Sequence, residues 1–182
     1  LSVNAGINAS NANLTAATGG INVNADVLAS TTSLVANSGD ISLNATVQGS
    51  NQAQVNAQNG NVSLTGNLVG ANALVNASAN LTGPGTVTSN NVSLTAGNDI
   101  TSVQLAGQSA GNINLGFTAG GSSQITSANS VSLSSSRVGN DLQLAVSGNL
   151  GLNSPVTAGN TIALNVTGNL DNAGGAPSFQ AN

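Results

Sequence analysis

The sequence of 182 residues predicts an all-β fold. More specifically, it predicts a right-handed parallel β-helix (a β-solenoid) with about 20 residues per coil and roughly nine coils. Three observations support this prediction: a segment repeats along the chain, apolar and polar side chains alternate within each repeat, and pairs of small polar residues separate the repeats. Such a fixed period is typical of one structural unit stacked on copies of itself.

The repeat is clearest near the end of the sequence. The run DLQLAVSGNL at 141–150 aligns with TIALNVTGNL at 161–170, with identical residues at half of the positions. Stacked copies of such a unit enclose a thin, regular interior. That interior suits a chain in which 39% of residues are hydrophobic while Phe117 and Phe179 are the only aromatic residues.

Within the repeats, apolar side chains occupy every second position. The runs INVNA (21–25), ISLNA (41–45), VSLTG (62–66) and VSLTA (92–96) show this pattern. A period of two is typical of a strand with one buried face. No segment shows the apolar stripe of a helix, so the sequence predicts strands, about three short ones per coil, and no helices.

Two columns of aliphatic residues recur at the coil spacing, and we expect them to stack as ladders in the core. The first contains Leu14, Leu34, Val55, Val75, Leu94, Leu115, Leu133 and Leu152. The second contains Ile21, Ile41, Val62, Leu81 and Ile100. At a strand spacing of about 4.8 Å, the coils would form a rod about 40–45 Å long. The register loosens at 83–85 and through 116–130, where we expect longer corners or a bulge.

Pairs of small polar residues precede many of the strand runs and are predicted to form the corners of the coil. Gly and Asn tolerate the left-handed backbone that a sharp corner needs. The predicted corner residues are Gly39, Asp40, Gly60, Asn61, Gly111, Asn112, Gly148, Asn149, Gly168 and Asn169.

The repeat pattern covers nearly the whole chain. We expect residues 1–173 to form a single solenoid, an internal piece of a longer protein. The remaining stretch, 174–182, contains Gly174-Gly175-Ala176-Pro177 and is predicted to be a tail or linker.

The scarcity of charge excludes several classes of partner. Arg137 is the only cation among 182 residues, and the formal net charge is −4. Nucleic-acid binding needs clustered Lys and Arg, so no nucleic-acid partner is expected. No apolar run approaches the length of a membrane span, so no membrane insertion is expected either.

The repeated unit also resembles a known family. The run VSLTAGNDI at 92–100, with VSLTGN at 62–67 and ISLNA at 41–45, is similar to the repeats of filamentous haemagglutinin-type exoproteins, and the resemblance covers 12–170. These are adhesins and contact-dependent toxin stalks exported by two-partner secretion. The resemblance implies a secreted protein at the bacterial cell surface. It also implies an outer-membrane secretion partner and a host or neighbouring-cell surface that the longer protein contacts. The family's export-recognition motif is not evident, so the piece resembles shaft rather than secretion domain.

The sequence predicts no enzyme, no cofactor and no metal site. Asp40 and Asp99 share a phase but lie three coils apart, about 14 Å at the strand spacing, whereas glycosidic cleavage needs two carboxylates about 5–9.5 Å apart. There is no His, Glu or Lys to act as acid, base or electrophile. We expect the aspartates to cap their own turns and stacked Asn side chains to form hydrogen-bonded ladders along the coil axis.

These observations favour a structural shaft that presents a distal binding or toxic domain and supports cell attachment. Three alternatives stay open. The first is a self-assembling extracellular fibre, because stacked coils have unpaired strand edges at both ends. The second is a carbohydrate-binding solenoid that uses a polar coil face. The third is an ice-binding face, for which the single Thr86-Val87-Thr88 motif gives little support.

Overall fold

A computed structural model describes residues 1–108, 112–172 and 178–181. The described residues form 23 strands and no helix. In chain order, the strands are β1 (Ser2–Val3), β2 (Ile7–Asn8), β3 (Asn11–Ala16), β4 (Ile21–Val23), β5 (Val27–Ala36), β6 (Ile41–Leu43), β7 (Val47–Ala57), β8 (Val62–Leu64), β9 (Leu68–Ala77), β10 (Leu81–Thr82), β11 (Thr86–Thr88), β12 (Asn91–Ala96), β13 (Ile100–Ala106), β14 (Ile113–Ala119), β15 (Ser123–Ser127), β16 (Val131–Leu133), β17 (Ser136–Val138), β18 (Leu142–Val146), β19 (Leu150–Leu152), β20 (Val156–Ala158), β21 (Ile162–Val166), β22 (Leu170–Asn172) and β23 (Phe179–Ala181).

The strands stack into a β-solenoid of about nine turns, with roughly 20 residues between equivalent positions. Strands of successive turns pair in parallel, as β4 does with β6 and β6 with β8. The all-β solenoid with this period is therefore confirmed. Within the described part of the chain, no helix is long and apolar enough to cross a membrane.

Each coil has three faces, which follow from the pairing. The first face begins with β1, β4, β6, β8 and β10. The second begins with β2 and the first residues of β5, and the third with β3 and the last residues of β5. In the early coils the second and third faces share one long strand, so the predicted three short strands per coil partly merge.

The second predicted column is confirmed throughout its length. Its five aliphatic residues, from Ile21 to Ile100, face one another in register on the first face, and each is at most 1% exposed. Beyond Ile100 the column continues through Ser123, Leu142 and Ile162. A serine therefore occupies one layer of an otherwise aliphatic ladder.

The first predicted column is wrong at one step. Its register holds from Leu14 to Leu94, but Leu94 then faces Phe117 rather than Leu115. Leu115 belongs to a neighbouring column, in which it lies between Val92 and Leu133. The two columns are two residues apart on the same face, and counting residues along the sequence cannot separate them where coil length changes.

A third stacked set on the third face was not predicted and consists of alanine in all positions but one. It contains Ala16, Ala36, Ala57, Ala77, Ala96, Ala119, Val138, Ala158 and Ala181. Most of these alanines are buried next to the corner that follows the third face. A small alanine side chain fits inside the coil next to a sharp corner. Because alanine is common throughout the sequence, its recurrence at this position did not stand out as a column.

Three residues of the predicted tail belong to the solenoid. Phe179–Ala181 forms β23 and pairs in parallel with β20, so Phe179 stacks on Val156. The boundary predicted at residue 174 is therefore wrong for these three residues. The run Gly174-Gly175-Ala176-Pro177 lies outside the described residues.

Candidate functional site

Polar side chains at the corner before the first face bond from coil to coil. Oδ1 of Asp40 accepts hydrogen bonds from the backbone N–H and the Nδ2 of Asn61, at 2.7 and 3.0 Å. Oδ1 of Asn61 accepts the same pair of bonds from Asn80, and Oδ1 of Asn80 accepts from the N–H of Asp99 at 3.3 Å. Oδ1 of Asp99 then accepts from the N–H of Ser122 at 2.6 Å. We call these five residues the corner ladder.

The corner ladder corrects the expected role of the aspartates. Asp40 and Asp99 do not cap their own turns: each accepts hydrogen bonds from the equivalent corner of the next coil. Asp26 follows the same rule at another corner, where its Oδ1 accepts from the N–H of Thr46 at 3.0 Å. These three carboxylates therefore link neighbouring coils by hydrogen bonds. Such contacts between residues about 20 positions apart cannot be inferred from local turn preferences.

Asn ladders along the coil axis were predicted and are present, both just after first-face strands and on the third face. Nδ2 of Asn24 donates to Oδ1 of Asn4 at 2.9 Å, and Nδ2 of Asn44 donates to Oδ1 of Asn24 at 2.8 Å. Asn76 donates to Asn56 in the same way at 2.8 Å. These side chains add axial hydrogen bonds to those of the backbone, because an amide can both donate and accept.

The predicted corner residues lie at two different corners of the coil. Asp40 and Asn61 precede first-face strands, whereas Asn112, Asn149 and Asn169 precede third-face strands. At this second corner Oγ of Ser130 accepts from the N–H of Asn149 at 2.9 Å. Oδ1 of Asn149 then accepts from the N–H of Asn169, also at 2.9 Å. The predicted corner at Gly111 lies outside the described residues.

The reason for glycine at most of these corners differs from the expected one. Of the predicted corner residues in the described part, only Gly39 has a left-handed backbone, with φ of 127°. At Gly60 the requirement is space, since a Cβ there would lie 2.3 Å from the carbonyl oxygen of Gly39. Gly148 and Gly168 are similarly close to the backbone of the preceding coil.

The structure keeps the two carboxylates considered for glycosidic cleavage apart. Asp40 and Asp99 occupy the same column three steps apart, as predicted, with Asn61 and Asn80 between them. Among the described residues, no cluster of three His, Cys, Asp or Glu side chains could hold a metal ion. Arg137 is exposed and stacks between Thr118 and Thr157 on the third face.

Asp141 is the most heavily bonded carboxylate among the described residues. Its Oδ1 accepts from Oγ1 of Thr161 at 2.6 Å, from Nδ2 of Asn160 at 2.8 Å and from the N–H of Thr161 at 3.2 Å. The Thr161 hydroxyl is the largest cause that lowers the pKa of Asp141, and partial desolvation opposes it. These bonds favour the ionised carboxylate.

We expect acid to loosen the contact between the coils of Asp141 and Thr161. Because the folded-state pKa of Asp141 is depressed, its contribution to stability is present above the unfolded pKa of about 3.9 and is lost as pH falls below it. Lowering the pH from about 6 to about 3 should reduce the melting temperature of the wild type more than that of Asp141→Asn. Asn keeps the Oδ1 acceptor but does not titrate. Thermal melts followed by circular dichroism would measure the difference.

Asp171→Asn is the matched control for this experiment, since that exposed side chain lies outside the corner bonds. It should keep the wild-type response to acid. An equal response of the wild type and Asp141→Asn would show that the bonds of Asp141 do not link pH to stability.

A shallow groove crosses the outer side of the third face beside Leu74. The outward side chains shrink along one column, from Leu74 to Ser93 to Gly116, which are in register. The resulting depression has a volume of about 280 Å³ in front of Leu74, and a second of about 170 Å³ lies on its other side. Leu74 is 39% exposed, which is unusual for a large apolar side chain in this chain.

Amide ladders form both walls of this groove. On one side, Nδ2 of Asn91 donates to Oδ1 of Asn72 at 3.1 Å, and Nδ2 of Asn114 donates to Oδ1 of Asn91 at 2.9 Å. On the other side lie Asn56 and Asn76. The lining of the groove is therefore neutral, rich in hydrogen-bonding groups and regular along the axis. This groove was not predicted from the sequence, although Leu at an outward position of an alternating strand was a signal for it.

These features define the class of the protein: it is a β-solenoid in which aliphatic columns fill the interior and polar ladders join the coils at the surface. No protein-family model, curated protein or solved structure matches the chain. The fold class therefore stands on the coil geometry alone.

Proposed function

We propose that this chain is a shaft segment of a secreted bacterial surface adhesin of the filamentous haemagglutinin type. One observation carries the proposal: polar side chains that could form a site bond instead to the next coil, as Asp40, Asn61, Asn80 and Asp99 do in sequence. Side chains used in this way stiffen a rod along its axis and leave few groups free for chemistry. The repeat resemblance over 12–170 supports the family.

In this proposal, the shaft holds a distal binding or toxic domain away from the cell and so supports attachment to a host or neighbouring cell. The parent protein crosses the outer membrane through a secretion partner before it coils. Each coil that forms adds backbone hydrogen bonds to the one before it, so coils can assemble in order as the chain emerges. A surface with one cation limits nonspecific electrostatic attraction.

Removal of two whole coils tests the shaft role. Deletion of 41–80 joins Asp40 directly to Leu81. Leu81 belongs to the same column as Ile41, because Ile41 pairs with Val62 and Val62 pairs with Leu81. We expect the deleted protein to fold into a rod that is shorter by about 10 Å, at a coil spacing of about 4.8 Å. In the surface-displayed parent protein, attachment should persist at shorter reach.

Electron microscopy and light scattering of the isolated segment measure the rod length and its association state, and a cell-attachment assay measures function. Complete loss of attachment in a rod that folds normally would place binding within the deleted coils. Concentration-dependent filaments of the isolated segment would instead favour the self-assembling fibre.

The groove beside Leu74 favours a second candidate function, carbohydrate binding. Neutral sugars offer hydroxyl groups that pair with amides and an apolar ring face that packs on an aliphatic side chain. The Asn72–Asn91–Asn114 wall supplies amides at the strand spacing, and Leu74 supplies the apolar contact. A neutral, extended oligosaccharide lying along the rod axis fits this lining better than a charged ligand does.

A pair of leucine variants tests this candidate. Leu28 is 38% exposed on another face and is therefore a matched control for Leu74, which is 39% exposed. If the groove binds cellohexaose or maltohexaose in calorimetric titrations, Leu74→Ala should weaken binding by about tenfold, because an apolar contact is lost. Leu28→Ala should leave it unchanged. The absence of heat with either sugar, or equal losses in both variants, would remove the groove as a site for these ligands.

A further inference from the structure

The strand pattern of the coils changes in the middle of the rod. In the early coils, short first-face strands such as β8 are followed by long strands such as β9 that span the other two faces. From β13 onward, the first and second faces share one strand, because β13 pairs with both β10 and β11. After β14, the third face of a coil is formed by two short strands instead of one, because β14 pairs with both β16 and β17. We call the described residues of 100–127 the junction.

The backbone of the junction is irregular. The pairing of β13 with β15 shifts register between Ile100 and Val103. Ser102 lies within this shift and has φ of 60°, the only positive φ of a non-glycine residue in the described part of the chain. A serine in the left-handed region costs free energy that a regular strand residue does not.

The interior of the junction has a polar defect. Ser123 takes the place of an aliphatic residue between Ile100 and Leu142, and it is 2% exposed. Its Oγ is the one buried side-chain oxygen or nitrogen among the described residues that has no hydrogen-bond partner. Ser127, on the same strand, is equally buried, but its Oγ donates to the carbonyl of Asn129 at 3.0 Å. A buried hydroxyl without a partner destabilises the layer that contains it.

The corner ladder is interrupted at the same layer. Its last bond runs from the N–H of Ser122 to Asp99, and equivalent side-chain bonding resumes only at Asp141, which accepts from Thr161. Among the described residues, Oγ of Ser122 accepts no bond from the N–H of Asp141, so the ladder stops there, whereas Oγ of Ser130 does accept from the N–H of Asn149 at the second corner. The carbonyl of Asp141 still accepts from the N–H of Ser123.

We propose that the junction is the place at which the rod opens first, so that the solenoid unfolds as two blocks. In a one-dimensional array, stability is the sum of the repeat terms and the contacts between neighbours. In adjacent layers, the junction combines the strained backbone of Ser102, the unpaired buried hydroxyl of Ser123 and the missing side-chain bond between Ser122 and Asp141. The coils before it, built around β7 and β9, also contain register shifts, next to Ala29 and next to Gly49, but they have none of these three defects. This opening depends on the fold and is expected whether or not the segment is a shaft.

Native-state hydrogen exchange measured by mass spectrometry tests the proposal on the whole segment. We expect amides of β13 and β15 to exchange faster than those of β7 and β9, and urea unfolding to show two transitions. Ser123→Ala removes the unpaired hydroxyl, and Ser122→Asn supplies a side chain that can accept from the N–H of Asp141. Each should slow exchange within the junction by about tenfold and bring the two transitions together.

Ser127→Ala is the matched control, because it removes a buried hydroxyl that has a partner. It should speed exchange in the junction. Equal exchange rates in β7, β9, β13 and β15 would overturn the proposal. Acceleration by Ser123→Ala equal to that by Ser127→Ala would overturn it as well, since the Ser123 hydroxyl would then be stabilising.

Discussion

Replacement of Phe117 by Ala should destabilise the solenoid by about 3–5 kcal/mol, the range found for Phe→Ala changes in packed cores. Phe117 is 2% exposed and stacks on Leu94 in an interior filled mainly by aliphatic side chains. Each layer of a solenoid has a small cross-section, so neighbouring side chains cannot move far enough to close the cavity. Urea unfolding followed by circular dichroism would measure the loss.

Phe179 provides the matched control for this substitution. It is the other phenylalanine of the chain, and it is only partly buried on β23. Phe179→Ala should cost less than half as much as Phe117→Ala, while Phe117→Leu should keep most of the stability because Leu fills the neighbouring layer at position 94. Equal losses for the two alanine variants would contradict the packing argument.

The second large effect is expected at Gly39. This residue has φ of 127°, and a Cβ there would lie 2.6 Å from the carbonyl carbon of Gly19 and 2.8 Å from the nitrogen of Gly20. Backbone strain and steric overlap act together in Gly39→Ala, and we expect a loss of about 3 kcal/mol. Thermal and urea unfolding would measure it.

Gly19 is the appropriate comparison, because it occupies the adjacent coil and has φ of 75°, yet a Cβ added there would meet no neighbouring atom within 4 Å. Gly19→Ala therefore carries only the cost of the left-handed backbone, about 1–2 kcal/mol. If the two variants were equally stable, close approach between coils would not be the reason for glycine at position 39.

The strands and the period were readable from sequence because both depend on local pattern. Alternation decides which side chains of a strand face the interior, and a fixed repeat decides that strands of successive coils meet. The second column, from Ile21 to Ile100, was predictable for this reason: coil lengths stay nearly constant along it. The first column failed between Leu94 and Leu115, where coil length changes and residue counting loses the register.

The candidate sites were less predictable, because they depend on which side chains meet across coils. The aspartates beside corner glycines carried the signature of turn caps, yet Asp40 and Asp99 bond to the following coil. The groove beside Leu74 exists because Ser93 and Gly116 happen to follow Leu74 in register on the next two coils. Neither relation is visible until the register is known.

The class of architecture, the strand faces and the scarcity of charge all follow from periodicity and composition, which are properties of the chain alone. Three other features could be established only from the folded structure. They are the register at coils of unequal length, the bonding of carboxylates to the next coil, and the placement of Ser123 inside an aliphatic column. Each of these depends on contacts between residues about one coil apart. Such contacts are fixed by the total length of the intervening corners rather than by any local preference, because a corner one residue longer shifts every later residue to a different partner.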